Sequence, residues 1–276
     1  MIESDFVKSH GLGNDYVVID TARFGLRLTP ERVRLLCHRH LGLGSDGVLE
    51  VTATDDRFFV RIWNPDGSEA ERSGNGLRIA AKFLSEHGYT EESSFAIETV
   101  AGPVRTKVFR SDGRVHSVRL DMGRAAIDRG VKQLAIKGDR MDMTVVSVGN
   151  PHCVIFGQPL TRERLFVLGP AIETHQRFPA RINVQLAEPE GRRQVRALVW
   201  ERGAGHTLAS GTSACAVAAA CFDRGLVDKD VTVMMEGGQL EVEVAPDLSL
   251  IMTGPVEEVF EGNLSEDLRA RLTEVQ

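Results

Sequence analysis

Apolar and polar positions alternate along Phe6-Val7-Lys8-Ser9-His10, the period of a strand with one buried face. The chain turns at Gly11-Leu12-Gly13-Asn14-Asp15, and the apolar run Tyr16-Val17-Val18-Ile19 predicts a second strand. Thr29-Pro30-Glu31-Arg32 predicts a helix start, with Thr as N-cap, Pro in the first position and Glu in the first turn. A glycine-rich turn at 41–47 follows; it lacks the Lys-Ser/Thr of a phosphate-binding loop. Strands are expected at 48–51 and 58–63. Residues 77–84 predict a helix apolar around most of its surface, and therefore buried, which stops at His87-Gly88. Two further strands flank the turn Val100-Ala101-Gly102, and the polar run 110–114 predicts a hairpin turn before a strand at 115–120.

The second half repeats this programme. Trp63 is followed ten residues later by Ser73-Gly74, and Trp200 ten residues later by Ser210-Gly211. Gly13-Asn14 returns as Gly149-Asn150 at an offset of 136, and Asn64 and Ser73 return as Glu201 and Ser210 at an offset of 137. Glu98 before Gly102 is echoed by Glu236 before Gly237-Gly238. Landmarks in one order and at nearly one spacing predict a duplicated domain. The expected division is 1–119 and 120–262, with 263–276 a capped surface helix packing on the N-terminal domain. One serine is expected on each wall of a pocket between the halves.

Composition narrows the class. A chain of 276 residues suits two domains, and 42% hydrophobic with 26% charged residues is ordinary for a globular protein. The formal charge of −6 gives no footprint for nucleic acid or an anionic membrane. No apolar run nears the roughly 18–20 residues that span a bilayer. The start, Met1-Ile2-Glu3-Ser4-Asp5, lacks the features of a signal peptide. Cys37, Cys153, Cys215 and Cys221 form neither a Cys-x-x-Cys pair nor a zinc spacing, so buried thiols in a reducing cytoplasm and no metal are expected.

Ser73-Gly74-Asn75-Gly76 and Ser210-Gly211-Thr212-Ser213 each open a predicted helix. The first N–H groups of a helix lack intrahelical partners and carry the positive end of its dipole. Glycine leaves them open to a ligand, so two such starts suit a carboxylate. Either motif alone reads first as a common cap or turn; the duplication and the preceding glycine-rich loops favour a site. Asn14, Asn64, Asn75, Asn150 and Asn183 fall in or near turns and offer amides to an amino acid. Arg202, beside Glu201, is a candidate clamp for a second carboxylate. His152 and His206 are candidate proton-handling groups.

These motifs resemble the diaminopimelate epimerase family of PLP-independent amino-acid racemases and epimerases. The resemblance covers His10-Gly11-Leu12-Gly13-Asn14-Asp15, Gly42-Leu43-Gly44-Ser45-Asp46-Gly47, Asn64-Pro65-Asp66-Gly67-Ser68, Gly74-Asn75-Gly76, Gly149-Asn150-Pro151-His152, Arg181-Ile182-Asn183-Val184 and Glu201-Arg202-Gly203-Ala204-Gly205. It implies an α/β fold of two pseudo-symmetric domains, each a curled mixed sheet around a central helix. It implies an α-carboxylate bound at Gly74-Asn75-Gly76 and Gly211-Thr212, with Asn64, Asn183 and Arg202 at the distal end of the substrate. Asn14, Asn150 and Glu201 match further substrate contacts. No cofactor is implied, and a homodimer is a further expectation.

One departure bears on the chemistry. The family uses two cysteines, a thiolate that takes the α-proton and a thiol that returns one, and the matching positions here are Ser73 and Ser210. A hydroxyl is a far weaker acid than a thiol and far harder to turn into a base. His152 near Ser73 and His206 near Ser210 are therefore expected as activating partners. The leading reading is a diaminopimelate epimerase-like enzyme. The alternatives are a lyase, dehydratase or other isomerase on the same scaffold, or a catalytically impaired amino-acid-binding variant.

Overall fold

The computed structural model describes residues 4–54, 57–130, 132–136 and 139–275; Met1, Ile2, Glu3 and Gln276 lie outside the described residues. The chain divides into two compact units, one of residues 1–120 with 255–276 and one of residues 121–254.

In the first unit, β1 (Phe6–Gly11) and β2 (Asn14–Asp20) form a hairpin with Gly11 opposite Asn14. Its turn needs left-handed backbone at Gly13, where φ is 86° and glycine adopts it without a Cβ clash. The chain crosses back through α1 (Thr21–Phe24) and α2 (Pro30–Cys37), so that β3 (Val48–Ala53) runs parallel to β2. Antiparallel β4 (Phe58–Trp63) and the short β5 (Glu69–Ala70) lead into α3 (Gly74–Glu86). The next strand, β6 (Ser94–Thr99), returns parallel to β4, and β7 (Gly102–Ser111) and β8 (Arg114–Arg124) continue as an antiparallel meander.

The second unit repeats the same signs of pairing. Strands β9 (Ala126–Asp128) and β10 (Gln133–Ile136) both lie antiparallel to β11 (Asp139–Ser147), which forms a hairpin with β12 (Pro151–Phe156). A single helix, α4 (Arg162–Glu173), makes the crossover to parallel β13 (Asn183–Pro189). Antiparallel β14 (Gln194–Glu201) and β15 (Gly205–Thr207) precede α5 (Gly211–Asp223). Then β16 (Asp230–Met235) returns parallel to β14, followed by antiparallel β17 (Gly238–Val244) and β18 (Ser249–Pro255). The chain finishes in the first unit with β19 (Glu257–Gly262) and α6 (Glu266–Glu274), the latter capped by Ser265.

Both long helices are buried around their whole circumference, α3 from Gly74 to Ser85 and α5 from Gly211 to Cys221. Each packs against strands of its own unit, which accounts for the apolar composition read from the sequence. Two features differ from the sequence reading. The segment 257–262 was grouped with the second half, yet β19 pairs with β1, Phe6 opposite Gly262. Leu264 and Leu272 then join Phe6, Val17 and Leu36 in one core cluster. The sequence reading assigned no element to residues 162–173, where α4 runs with Pro170 inside it. Gly169 is needed: a Cβ there would sit 2.6 Å from the Trp200 ring.

Candidate functional site

Each long helix begins at a serine in extended conformation. Ser73 (φ −138°, ψ 117°) accepts a hydrogen bond at Oγ from the Gly76 N–H at 3.1 Å. Ser210 (φ −145°, ψ 127°) accepts from the Ser213 N–H at 3.4 Å. Both are N-caps, and the positive end of a buried 13-residue helix lies beside each Oγ. Gly74, Asn75, Gly211 and Thr212 form the first turns, the places from which backbone N–H groups can meet a carboxylate.

In the first unit, the Ser73 and Tyr16 hydroxyls lie 3.2 Å apart. Gly47 makes room for the phenol ring, since a Cβ there would come within 2.6 Å of it. Asn75 Nδ2 donates to Asn14 Oδ1 at 3.0 Å, and Asn14 Nδ2 donates to Asp46 Oδ2 at 3.1 Å. The glycine-rich turn therefore delivers Asp46 to hold the Asn14 amide. Arg39 bridges Asp15 and Asp46 at 3.0 and 2.6 Å, and Lys8 pairs with Asp15. Burial works against charge on Asp15, but the Lys8 and Arg39 bonds outweigh it and hold its carboxyl below the usual range. Burial, with the Asp15 charge next to it, pushes Asp46 up. Asn64 donates to Ser68 Oγ at 2.9 Å, closing its own turn.

In the second unit, Ser210 Oγ donates to Glu201 Oε2 at 3.4 Å and lies 3.4 Å from Thr212 Oγ1. Asn150 Nδ2 donates to the same Thr212 hydroxyl at 3.5 Å. Asn183 spans a strand end and a loop: Nδ2 donates to the Pro151 carbonyl, and Oδ1 accepts from the Arg202 N–H, both at 2.9 Å. The Arg202 guanidinium is exposed and reaches the Ala180 carbonyl at 3.5 Å.

The expected Ser–His pairs do not form among the described residues. His152 is fully buried, with Nε2 2.8 Å from Asn150 Oδ1 and Nδ1 3.0 Å from Gln185 Nε2. Burial drives its pKa down to about 3, so the ring is neutral. His206 Nε2 lies 2.5 Å from Glu236 Oε2, and its ring packs on Phe166. Arg162 binds the other Glu236 oxygen; although burial opposes it, these bonds hold Glu236 below the usual carboxylate range. Both imidazoles were drawn to proximity in sequence, whereas the strand register sends them to other partners. Tyr16 and Gln185, which do touch the half-sites, were missed. Tyr16 was legible in principle, because it stands at the same 136 offset from His152 as Asn14 does from Asn150.

The family model for diaminopimelate epimerase matches residues 6–127 and 144–259, and so takes in both half-sites. The chain belongs to the diaminopimelate epimerase family. It is 40% identical over 278 residues to a diaminopimelate epimerase of Moorella thermoacetica, covering 95% of this chain and 99% of that one. A second relative, diaminopimelate epimerase 2 of a Nostoc species, is 39% identical over 96% of this chain and 97% of its own. Among solved structures, a probable proline racemase from Agrobacterium radiobacter superposes with a TM-score of 0.75 at 18% identity, covering 95% and 93% of the two chains. A hydroxyproline epimerase from Agrobacterium vitis gives 0.72 at 19% identity, covering 92% and 90%. At those identities the structures establish a shared fold. Family membership places the chain among the PLP-independent epimerases and racemases. No helix among the described residues is long and apolar enough to cross a membrane.

Proposed function

We propose that this protein epimerises an amino acid with a second charged end, diaminopimelate being the first candidate, and that Ser73 and Ser210 are its two proton-carrying groups. The observation that supports this reading is the duplicated cap, with a hydroxyl at the head of each buried helix. The two helix starts, with Asn75 and Thr212, bind the α-carboxylate and stabilise the charge that develops on it when the Cα–H bond breaks. Ser210 Oγ takes the α-proton while its own proton passes to Glu201, the carboxylate it already faces. Ser73 returns a proton to the carbanion and is reprotonated from Tyr16. Asn64, Asn183 and Arg202 hold the distal end. The reading includes a cytoplasmic location, in keeping with four free buried thiols, and a homodimer, which light scattering checks.

One observation favours a second reading, an amino-acid-binding protein without turnover: each serine Oγ already accepts a helix N–H, which makes it a poorer base. Incubation with L,L-diaminopimelate in D2O separates the two. Deuterium at Cα with inversion supports epimerisation. Binding without exchange, with exchange rising by about 10²–10⁴-fold in Ser73→Cys/Ser210→Cys, supports the second reading. Loss of water or ammonia refutes both.

A further inference from the structure

Six residues of the second unit form a closed ring of hydrogen bonds around the start of α5. Ser210 Oγ meets Thr212 Oγ1 at 3.4 Å, Thr212 Oγ1 accepts from Asn150 Nδ2 at 3.5 Å, and Asn150 Oδ1 meets His152 Nε2 at 2.8 Å. The His152 ring then meets Gln185 Nε2 at 3.0 Å, Gln185 Nε2 also donates to Ser213 Oγ at 2.9 Å, and the Ser213 N–H returns to Ser210 Oγ. His152, Gln185 and Ser213 are wholly buried, so water does not compete for these bonds.

From this ring we infer that Gln185 is a positioning residue, which fixes the tautomer of His152 and through it the direction in which the Asn150 amide faces the substrate carboxylate. The amide nitrogen of Gln185 donates to Nδ1, so Nδ1 carries no proton and the neutral ring holds it on Nε2. Nε2–H in turn donates to Asn150 Oδ1, which leaves Asn150 Nδ2 pointing to Thr212 and the helix start, as a donor beside a site built for an anion. The opposite polarity would turn all three groups around and present a carbonyl oxygen there. Burial disfavours that alternative. With the amide as found, one acceptor, Gln185 Oε1, lacks a partner among the described residues. Reversed, two N–H donors would lack one, the costlier state.

The fold shows that this polarity device is particular to one half. Parallel pairing sets Val184 beside Cys153 in the second unit and Val48 beside Val17 in the first, so Leu49 is the counterpart of Gln185. Tyr16 stands for His152 and Gly76 for Ser213. A Cβ on Gly76 would lie 2.9 Å from Leu49 Cδ2, so the counterparts of Gln185 and Ser213 are neighbours in the first unit too. Tyr16 carries its own hydroxyl to Ser73 and needs no relay. His152 does not reach its serine and acts through Asn150.

The substrate clause rests on the function proposed above; the tautomer clause does not. The test is the ¹⁵N–¹H correlation of the His152 ring in the full-length protein, recorded without substrate, in wild type and in Gln185→Glu. The expected wild-type ring is Nε2–H. In Gln185→Glu the new carboxylate accepts from Nδ1–H and reverses the ring, and the dissociation constant for L,L-diaminopimelate rises about tenfold, the loss of one charge-assisted bond. Gln185→Asn with the wild-type tautomer is expected to keep most of the affinity. A wild-type Nδ1–H ring overturns the proposal even where the variants fail to fold. A reversed ring with unchanged affinity overturns the link to Asn150. A wild type that binds no diaminopimelate refutes the substrate reading, while the spectrum still decides the role of Gln185.

Discussion

The two half-sites share strand signs, helix length and cap geometry, and differ in what stands behind the serine. In the first unit, Tyr16, Leu49 and Gly76 form an apolar backing from which one phenol hydroxyl reaches Ser73, while charged Lys8, Asp15, Arg39 and Asp46 brace Asn14 from the outside. In the second, His152, Gln185 and Ser213 form a polar backing, and the charge that meets the serine is the Glu201 carboxylate. A duplicated scaffold has thus kept the serine-capped helix start and diverged in the groups that face the serine. Ser210 faces an acceptor and Ser73 faces a hydroxyl that can give or take. Such an asymmetry suits a reaction that removes a proton on one side and adds one on the other.

The indole N–H groups show the same conserved need met by different means. Trp63 Nε1 donates to Glu50 Oε2 from the neighbouring strand at 2.9 Å, and Trp200 Nε1 donates to Glu173 Oε2 from the end of α4 at 2.8 Å. Glu50 and Glu173 are not equivalent positions. A buried indole donor has to be satisfied, and each half supplied a carboxylate from the element that lay within reach.

The comparison is broken most severely by removing the acceptor at Ser210. Glu201→Gln is expected to slow deuterium uptake at Cα by about 10²–10³-fold, and Tyr16→Phe only about tenfold, each measured from both antipodes of the substrate. Equal losses would mean that the two halves are chemically symmetric.

Transplanting one residue tests the structural side. Leu49→Gln places an amide into the apolar backing of the first unit and is expected to cost about 2–3 kcal/mol in urea unfolding. Adding Gly76→Ser, which supplies the hydroxyl that Gln185 meets in the second unit, is expected to recover part of that loss. No recovery would show that the three positions are not coupled.

The last test concerns pH. His152 titrates at about 3 in the fold against an ordinary 6.5, because burial disfavours the charged ring. Between those values the unfolded chain holds the extra proton, so the stabilisation is complete above pH 6.5 and is lost as pH falls toward 3. The slope is at most ~1.4 kcal/mol per pH unit. His152→Gln is expected to flatten this part of the profile in urea unfolding from pH 7 to 4.

How much was legible depended on the range of the interaction. The turn at Gly13-Asn14, the caps at Ser73 and Ser210, and the buried helices behind them are local or periodic, and the duplicated landmarks revealed the repeat. The candidate amides were found as residue types, while their partners were not: Asn14 to Asp46 and Asn183 to Arg202 depend on loops and strands meeting in three dimensions, whereas Asn150 to His152 spans only two residues. Glu201 was read as a substrate contact, and the fold turns it to Ser210.

The sequence by itself determined that two like units exist, that each buries a helix headed by serine, and that the chain lies in the diaminopimelate epimerase family. Periodicity, caps and spacing are properties of neighbouring residues, and they survive without coordinates. Only the tertiary structure decided that His152 and His206 serve Asn150 and Glu236 rather than the serines, since parallel pairing of β12 with β13 and the turn before β17 choose those partners. A stretch that looked like two equal half-sites is, once folded, one serine beside a phenol and one beside a carboxylate.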